Sequence, residues 1–183
     1  MEVVDIVIPA IWVAFWIYWL AASLTVKATR TRRPSAYVIR VAIVLVVLSL
    51  LRAGVLRGRG GAIHNPWLEA LGFVVFSVGI GLAVWARIYL GRNWGTPMSE
   101  KTDPELVTTG PYRYVRHPIY SGILLGMIGT TLAITYVWLV AVVVLGAYFV
   151  YSATIEERIM ERLFPDAYPP YKRSTKMLIP FIF

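Results

Sequence analysis

The sequence predicts an all-α integral membrane protein of about five transmembrane helices, the last two forming a tight helical hairpin. Three observations carry this. Hydrophobic residues make up 58% of the 183 positions and charged residues only 15%, with a mean hydropathy of +0.65. Soluble domains hold about 25% charged and about 45–50% apolar residues. The apolar residues fall in long blocks with basic residues at their edges, which is how chains cross bilayers. Finally, Pro118 to Ile155 contains no formal charge over 38 residues. One helix of that length would measure roughly 57 Å, about twice the hydrocarbon core, so the stretch must double back.

The first block runs from about Val3 to Val26 and is free of charge from Ile6 onward. Acidic residues (Glu2, Asp5) precede it and the stretch is too long for a signal-peptide core, so it reads as a membrane span. Trp12, Trp16 and Trp19 lie on it at helical spacing and are expected to pack or to face lipid. The second block spans about Tyr37 to Leu56, with Arg40 and Arg52 snorkelling toward opposite interfaces. The third runs from about Trp67 to Leu90, where Gly72, Gly79 and Gly81 are expected to be helix-packing notches. The Gly79–Gly81 pair lacks the third glycine and the strand of a dinucleotide loop. The hairpin is expected near Ile119–Ala133 and Val137–Ile155, with Thr130, Thr131, Thr135 and Tyr136 at its turn. Residues 1–183 form a single transmembrane domain on this reading. Residues 1–90 supply three helices, and 91–183 a cofactor-binding loop, the hairpin and a tail.

The positive-inside rule orients these crossings. With the C-terminus in the cytosol and the N-terminus outside, 15 of the 18 basic residues lie on the cytosolic side, leaving only Arg52, Arg57 and Arg59 opposite. The expected location is a prokaryotic cell membrane. The net charge of +8 is assigned to lipid headgroups rather than nucleic acid, because no basic stripe with interleaved aromatics appears on a soluble element. With no cysteine and only His64 and His117, neither a disulfide nor a histidine-rich metal site is expected.

The hairpin returns its second helix beside its first, so Gly91–His117 and Glu156–Phe183 meet at one membrane face. That convergence is the candidate site. Residues 110–122 read GPYRYVRHPIYSG. Gly110-Pro111 fixes a turn. Pro118 suits the first position of a helix, with His117 at its cap. The free N–H groups of that helix start, with Arg113 and Arg116, favour a carboxylate or phosphate. Tyr112, Tyr114 and Tyr120 suit an interfacial belt or a pocket wall. After the hairpin, Glu156 and Glu157 stand on the positive-inside face, where carboxylates need a reason. Ribose hydroxyls or a cationic cofactor would supply one.

The stretch 110–122, the charge-free hairpin, Glu156-Glu157, Phe164 and the Tyr168/Tyr171 pair resemble the isoprenylcysteine carboxyl methyltransferase and phospholipid methyltransferase family. Leu90-Gly-Arg-Asn-Trp94 is similar to that family's approach to the motif. The resemblance covers about residues 88–183. It implies an integral membrane methyltransferase that uses S-adenosylmethionine. It places Tyr112, His117, Pro118, Tyr120, Glu156 and Glu157 at the cofactor, with Arg113 or Arg116 assisting catalysis. The acceptor would be a prenylcysteine carboxylate, a phospholipid amine or a small hydrophobic molecule, entering from the bilayer. The sequence departs from the prenylcysteine pattern at Ser152, where those enzymes carry an arginine. Two other readings are an NADPH-dependent reductase of the sterol-reductase type and a membrane protein without enzymatic activity.

Overall fold

A computed structural model describes residues 3–27, 29–32, 65–95, 99–101 and 103–182 of the protein. The span expected near residues 37–56 and His64 lie outside the described residues. Four apolar helices make up the described body: α1 (Val4–Ser23), α2 (Pro66–Leu90), α3 (Pro118–Ala133) and α4 (Leu139–Leu163). A short helix, α5 (Tyr168–Ser174), follows. A two-stranded antiparallel ribbon, β1 (Thr29–Arg32) with β2 (Ser99–Lys101), ties the segment after α1 to the loop after α2. The α1 rod and the segments Pro66–Asn93 and Tyr136–Leu163 are long and apolar enough to cross a membrane. At 16 residues, α3 measures about 24 Å and falls short of the ~30 Å hydrocarbon core.

Each boundary has a local cause. Asn65 caps α2, its Oδ1 accepting the backbone N–H of Trp67 at 3.0 Å, with Pro66 following at the start. Gly91 ends α2 with φ of 51°, a left-handed conformation that favours glycine. Pro118 opens α3, where it needs no hydrogen-bond partner. The hairpin turns at Ile134–Thr135, later than Thr130 and Thr131. Those two hydroxyls donate to carbonyls one turn back in α3, from Gly126 and Met127, both at 2.9 Å. A single 3-10 turn over Tyr136–Trp138 then leads into α4, which runs unbroken past Ile155 and carries Glu156 and Glu157.

Helices α2 and α3 are antiparallel and touch backbone to backbone. A Cβ placed on Gly79 would sit 2.3 Å from the Gly126 nitrogen, and one on Gly129 would sit 2.2 Å from the Phe76 nitrogen. Gly72 and Gly122 are equally tight. In lipid, close approach through small residues supplies the dispersion energy that hydrophobic exclusion supplies in water. Gly81 corrects the expectation made for it: nothing lies within 4 Å of its Cβ position, so it notches nothing. Helix α1 runs parallel to α2. Ile8 and Phe76 share one apolar cluster with Ala133, and the Trp12 indole N–H donates to Thr130 Oγ1 at 3.1 Å.

Arg87 is not a headgroup-facing cation. It is buried, donating from Nη2 to the Ala22 carbonyl and from Nη1 to the Gly91 carbonyl, both at 2.7 Å. Those carbonyls belong to the C-terminal ends of α1 and α2, where a cation complements the helix dipoles. The guanidinium also lies over the Trp94 ring, 5.0 Å from its centroid.

Candidate active site

The helices and the loop after α2 enclose a cavity of about 600 Å³. Along α4 its lining runs Leu145, Tyr148, Phe149, Glu156 and Met160. From Leu145 to Glu156 that spans roughly 16 Å along the helix axis. The deep end is apolar, lined by Ile123 of α3, Leu145 of α4 and Trp16 of α1, while Ile119 and Trp19 stand nearer the outer end, Trp19 edge-on to Trp94 at 5.7 Å. The outer end carries Arg116, His117, Tyr120 and Glu156, with Asn93, Trp94 and Glu105 from the loop.

The Arg116–His117 strand is held by the tail. Its backbone N–H groups donate to the carbonyls of Lys176 (2.8 Å) and Met177 (3.1 Å), and Ser121 Oγ donates to the Leu178 carbonyl at 2.6 Å. Leu178 is buried, while Phe181 and Ile182 stand exposed beyond it. The Tyr171 hydroxyl donates to the Tyr112 carbonyl at 2.7 Å, fixing the turn before the strand. Burial pushes the Tyr171 phenol up to about 12 and raises Tyr112 as well, so both stay protonated at neutral pH.

His117 caps α3 and lies between two carboxylates. Its Nδ1 is 3.5 Å from Glu156 Oε2, and its Nε2 is 3.5 Å from Glu157 Oε1. The Nε2 atom is buried and has no hydrogen-bond partner. Burial opposes a positive charge here, but the two carboxylates outweigh it, so His117 titrates above the ordinary histidine value. Its ring stacks on Tyr120 (5.5 Å, 6°), which stacks in turn on Phe149 (4.5 Å, 5°). The Tyr120 hydroxyl donates to Glu156 Oε1 at 2.6 Å.

Six of the eight residues singled out in the sequence either line the cavity or touch a residue that does. Tyr112, Arg116, His117, Tyr120 and Glu156 line it, and Glu157 sits behind Arg116. Pro118 is buried at the start of α3. Arg113 is exposed and lies off the cavity wall. Ser152 is fully buried and also off the wall. Sequence reasoning gave Trp16 and Trp19 to packing or lipid contact and did not single out Phe149, Met160 or Glu105. Only their helical registers relative to Glu156 and Tyr120 held a signal for the α4 pair. Glu105 is held by Lys27 Nζ at 2.9 Å and Asn93 Nδ2 at 3.1 Å, and these partners lower its pKa.

A family model described as phospholipid methyltransferase matches residues 67–167. This chain belongs to the phospholipid methyltransferase family. Within that family's reach, it is 30% identical over 144 residues to a nickel-cobalt-cadmium resistance protein of Alcaligenes xylosoxydans, covering 77% of this chain and 64% of that one. It is 32% identical over 118 residues to a protein-S-isoprenylcysteine O-methyltransferase of Schizosaccharomyces pombe, covering 62% of this chain and 49% of that one. A methanethiol S-methyltransferase of Bradyrhizobium diazoefficiens is 35% identical over 82 residues, 45% of this chain and 28% of its own. The fold is shared with a solved eukaryotic intramembrane Ras methyltransferase, isoprenylcysteine carboxyl methyltransferase. That match has a TM-score of 0.57 and 24% identity, over 83% of this chain and 54% of the other. The chain thus spans between about a quarter and two thirds of the length of these relatives. Together with the apolar helices, this likeness makes the phospholipid methyltransferase homologue described here an integral membrane protein.

Proposed function

We propose that the chain is a membrane methyltransferase that uses S-adenosylmethionine and acts on a lipophilic acceptor. The observation that carries this reading is the graded cavity. Polar and charged groups from two distant segments converge at its outer end, and aromatic and aliphatic side chains line its deep end at membrane depth. The outer end fits the cofactor. It offers a carboxylate, a tyrosine hydroxyl and a guanidinium on the wall, with the stacked faces of Tyr120 and Phe149. When bound, S-adenosylmethionine supplies a methyl group on a positively charged sulfur.

The chain's own residues then bind and orient. His117 and Arg116, at the start of α3, hold an anionic group of the cofactor. Glu156 accepts hydroxyl donors, and Tyr120 packs beside it. Tyr112 and Pro118 fix the turn and the helix start beneath them. Trp16, Trp19, Ile123 and Leu145 take the apolar body of the acceptor. Transfer from a sulfonium needs alignment at about 3–3.5 Å more than it needs a side-chain nucleophile. The acceptor is a prenylcysteine carboxylate, a phospholipid amine or a small hydrophobic molecule, a range supported by the phospholipid methyltransferase family model and by relatives named for isoprenylcysteine and methanethiol methylation. The basic loops support a cytosolic outer end, with the N-terminus outside and the C-terminus in the cytosol.

The test is methyl transfer from labelled S-adenosylmethionine in membranes that contain the protein, followed by identification of the labelled product. Calorimetric titration of the detergent-purified protein with S-adenosylhomocysteine beside NADPH accompanies it. Binding of the first with a labelled product supports the reading. Binding of NADPH alone supports a reductase, and binding of neither removes the enzymatic reading.

A further inference from the structure

The tail continues past the point where it holds the site. Val115 and Lys176 form a parallel bridge, so the tail runs in the same direction as the chain entering α3. The carbonyls of Lys176 and Met177 accept the N–H groups of Arg116 and His117, and the Leu178 carbonyl accepts the Ser121 hydroxyl. Each step along the tail is therefore a step toward the bilayer. Ser121 lies roughly 4–5 Å along the α3 axis from Pro118. Its neighbour Gly122 packs against Ala83 of α2, and Trp85 and Val78, both exposed, straddle Ala83 along that helix. Residues 179–182 thus leave the tail at the depth where α2 turns an apolar face to lipid.

Leu178 is buried in the main apolar cluster and Met177 packs against it. Beyond them the described residues cover little of the chain. Ile179 is 50% exposed, Phe181 89% and Ile182 76%. The Ile182 N–H donates to the Ile179 carbonyl at 3.2 Å, closing a turn with Pro180 second and Phe181 third. Phe181 has φ of 67°, the sign that a type II turn requires at its third position and ordinarily meets with glycine. A bulky side chain there strains the backbone, and such strain persists only where the surroundings offset it. In water this turn would combine strain with two bare apolar side chains. In hydrocarbon both side chains are removed from water, the Ile182 N–H is already satisfied, and Pro180 has none to satisfy. Arg173 and Lys176, both exposed, stand just before the tip, where anionic headgroups would meet them. We propose that residues 179–182 are a re-entrant tip that dips into the leaflet beside the cavity's outer end, with membrane lipid as its partner. The tail that holds Arg116 and His117 is then seated in the bilayer at its far end as well. Nothing in this placement depends on the methyl-donor reading.

The chain has no cysteine, so a nitroxide label reports from a single engineered position. The full chain, carrying one of F181C, I182C, K176C, V143C or D166C, is labelled and reconstituted in vesicles of phosphatidylcholine and phosphatidylglycerol. Collision with molecular oxygen, which concentrates in hydrocarbon, is compared with collision with a water-soluble nickel chelate. Val143 is exposed on the apolar part of α4 and Asp166 is exposed in the turn after it. Their labels fix the lipid and water ends of the scale. F181C and I182C are expected at an oxygen-to-nickel ratio at least tenfold above D166C and close to V143C, with K176C in between. Adding F181D to the I182C protein should lower its ratio severalfold toward D166C, and an unchanged ratio there overturns the proposal. Labels at 181 and 182 that meet the nickel chelate as D166C does also overturn it. Labels shielded from both reagents overturn it in favour of a protein partner or a second copy of the chain. I182C keeps Phe181 in place, so the two positions decide independently even where one label disturbs the turn.

Discussion

Replacing Gly129 by alanine adds one methyl group at the tightest point of the α2–α3 contact. Its Cβ would lie 2.2 Å from the Phe76 nitrogen and 2.6 Å from the Gly72 oxygen. Both obstacles are backbone, so no rotamer change relieves them. Ordinary contact needs about 3.5 Å, so the helices must part by roughly 1 Å or more. Overpacking of this kind costs about 1–3 kcal/mol. Alanine returns up to about 1 kcal/mol through helix propensity, but separation also loosens Gly72, Gly79 and Gly122 along the same seam. The expected net loss is about 1–2 kcal/mol, or a fall of roughly 2–8 °C in melting temperature for a chain of this size. The assay is thermal melting in detergent, read by size-exclusion recovery after heating. Gly81→Ala and Gly126→Ala are internal controls. The first meets nothing within 4 Å and the second only side-chain tips at 3.4 Å and beyond, so both should melt at or above wild type. If Gly129→Ala melts as high as Gly81→Ala, the backbone-contact argument is wrong.

Three further outcomes are expected. The raised His117 pKa means that its charged form stabilises the fold. That contribution is full below the ordinary value of about 6.5 and disappears as pH rises through the elevated folded value. Wild-type melting temperature should therefore decline as pH rises above about 6.5, and H117Q should flatten that slope. Arg87→Ala leaves two helix-end carbonyls without their donor and should cost about 2–4 kcal/mol. Arg87→Lys should recover little, since an ammonium lacks the fork that reaches both; melting of the two variants checks this. Deleting Pro180–Phe183 keeps the carbonyls of Met177 and Leu178 that hold His117 and Ser121, so S-adenosylhomocysteine affinity should stay near wild type. Deleting from Met177 onward should weaken it at least tenfold by calorimetry.

Much of the fold was legible because a bilayer restricts the choices so strongly. The start and end of α2 fall within a residue of the apolar block read as Trp67–Leu90, and the hairpin was forced by the charge-free run alone. The site was legible in outline because helix breakers and charges stand out in such a sequence: Pro118 starts α3, and Glu156 follows a span that could hold no other charge. What stayed hidden depends on rotation and depth. Arg87 reads as a basic residue at a span end, and only tertiary packing shows it turned inward to two carbonyls. Gly72, Gly79 and Gly81 look alike as letters, but the 100° step per residue points Gly81 away from α3. For the same reason, Glu156 and Glu157 could not be told apart, nor could Trp16 and Trp19 be assigned to a cavity wall.

The glycine-sealed pair α2–α3 also separates what is fixed in this molecule from what is free to drift. Gly72, Gly79, Gly122 and Gly129 each face backbone closer than 3 Å, whereas the apolar cavity wall is drawn largely from α1 and α4, whose side chains border the cavity. Exchanges at Trp16, Leu145 or Tyr148 therefore reshape the chamber without disturbing the frame that sets it. The shape of the chamber is thus set by a few interchangeable panels, and the frame by the seam.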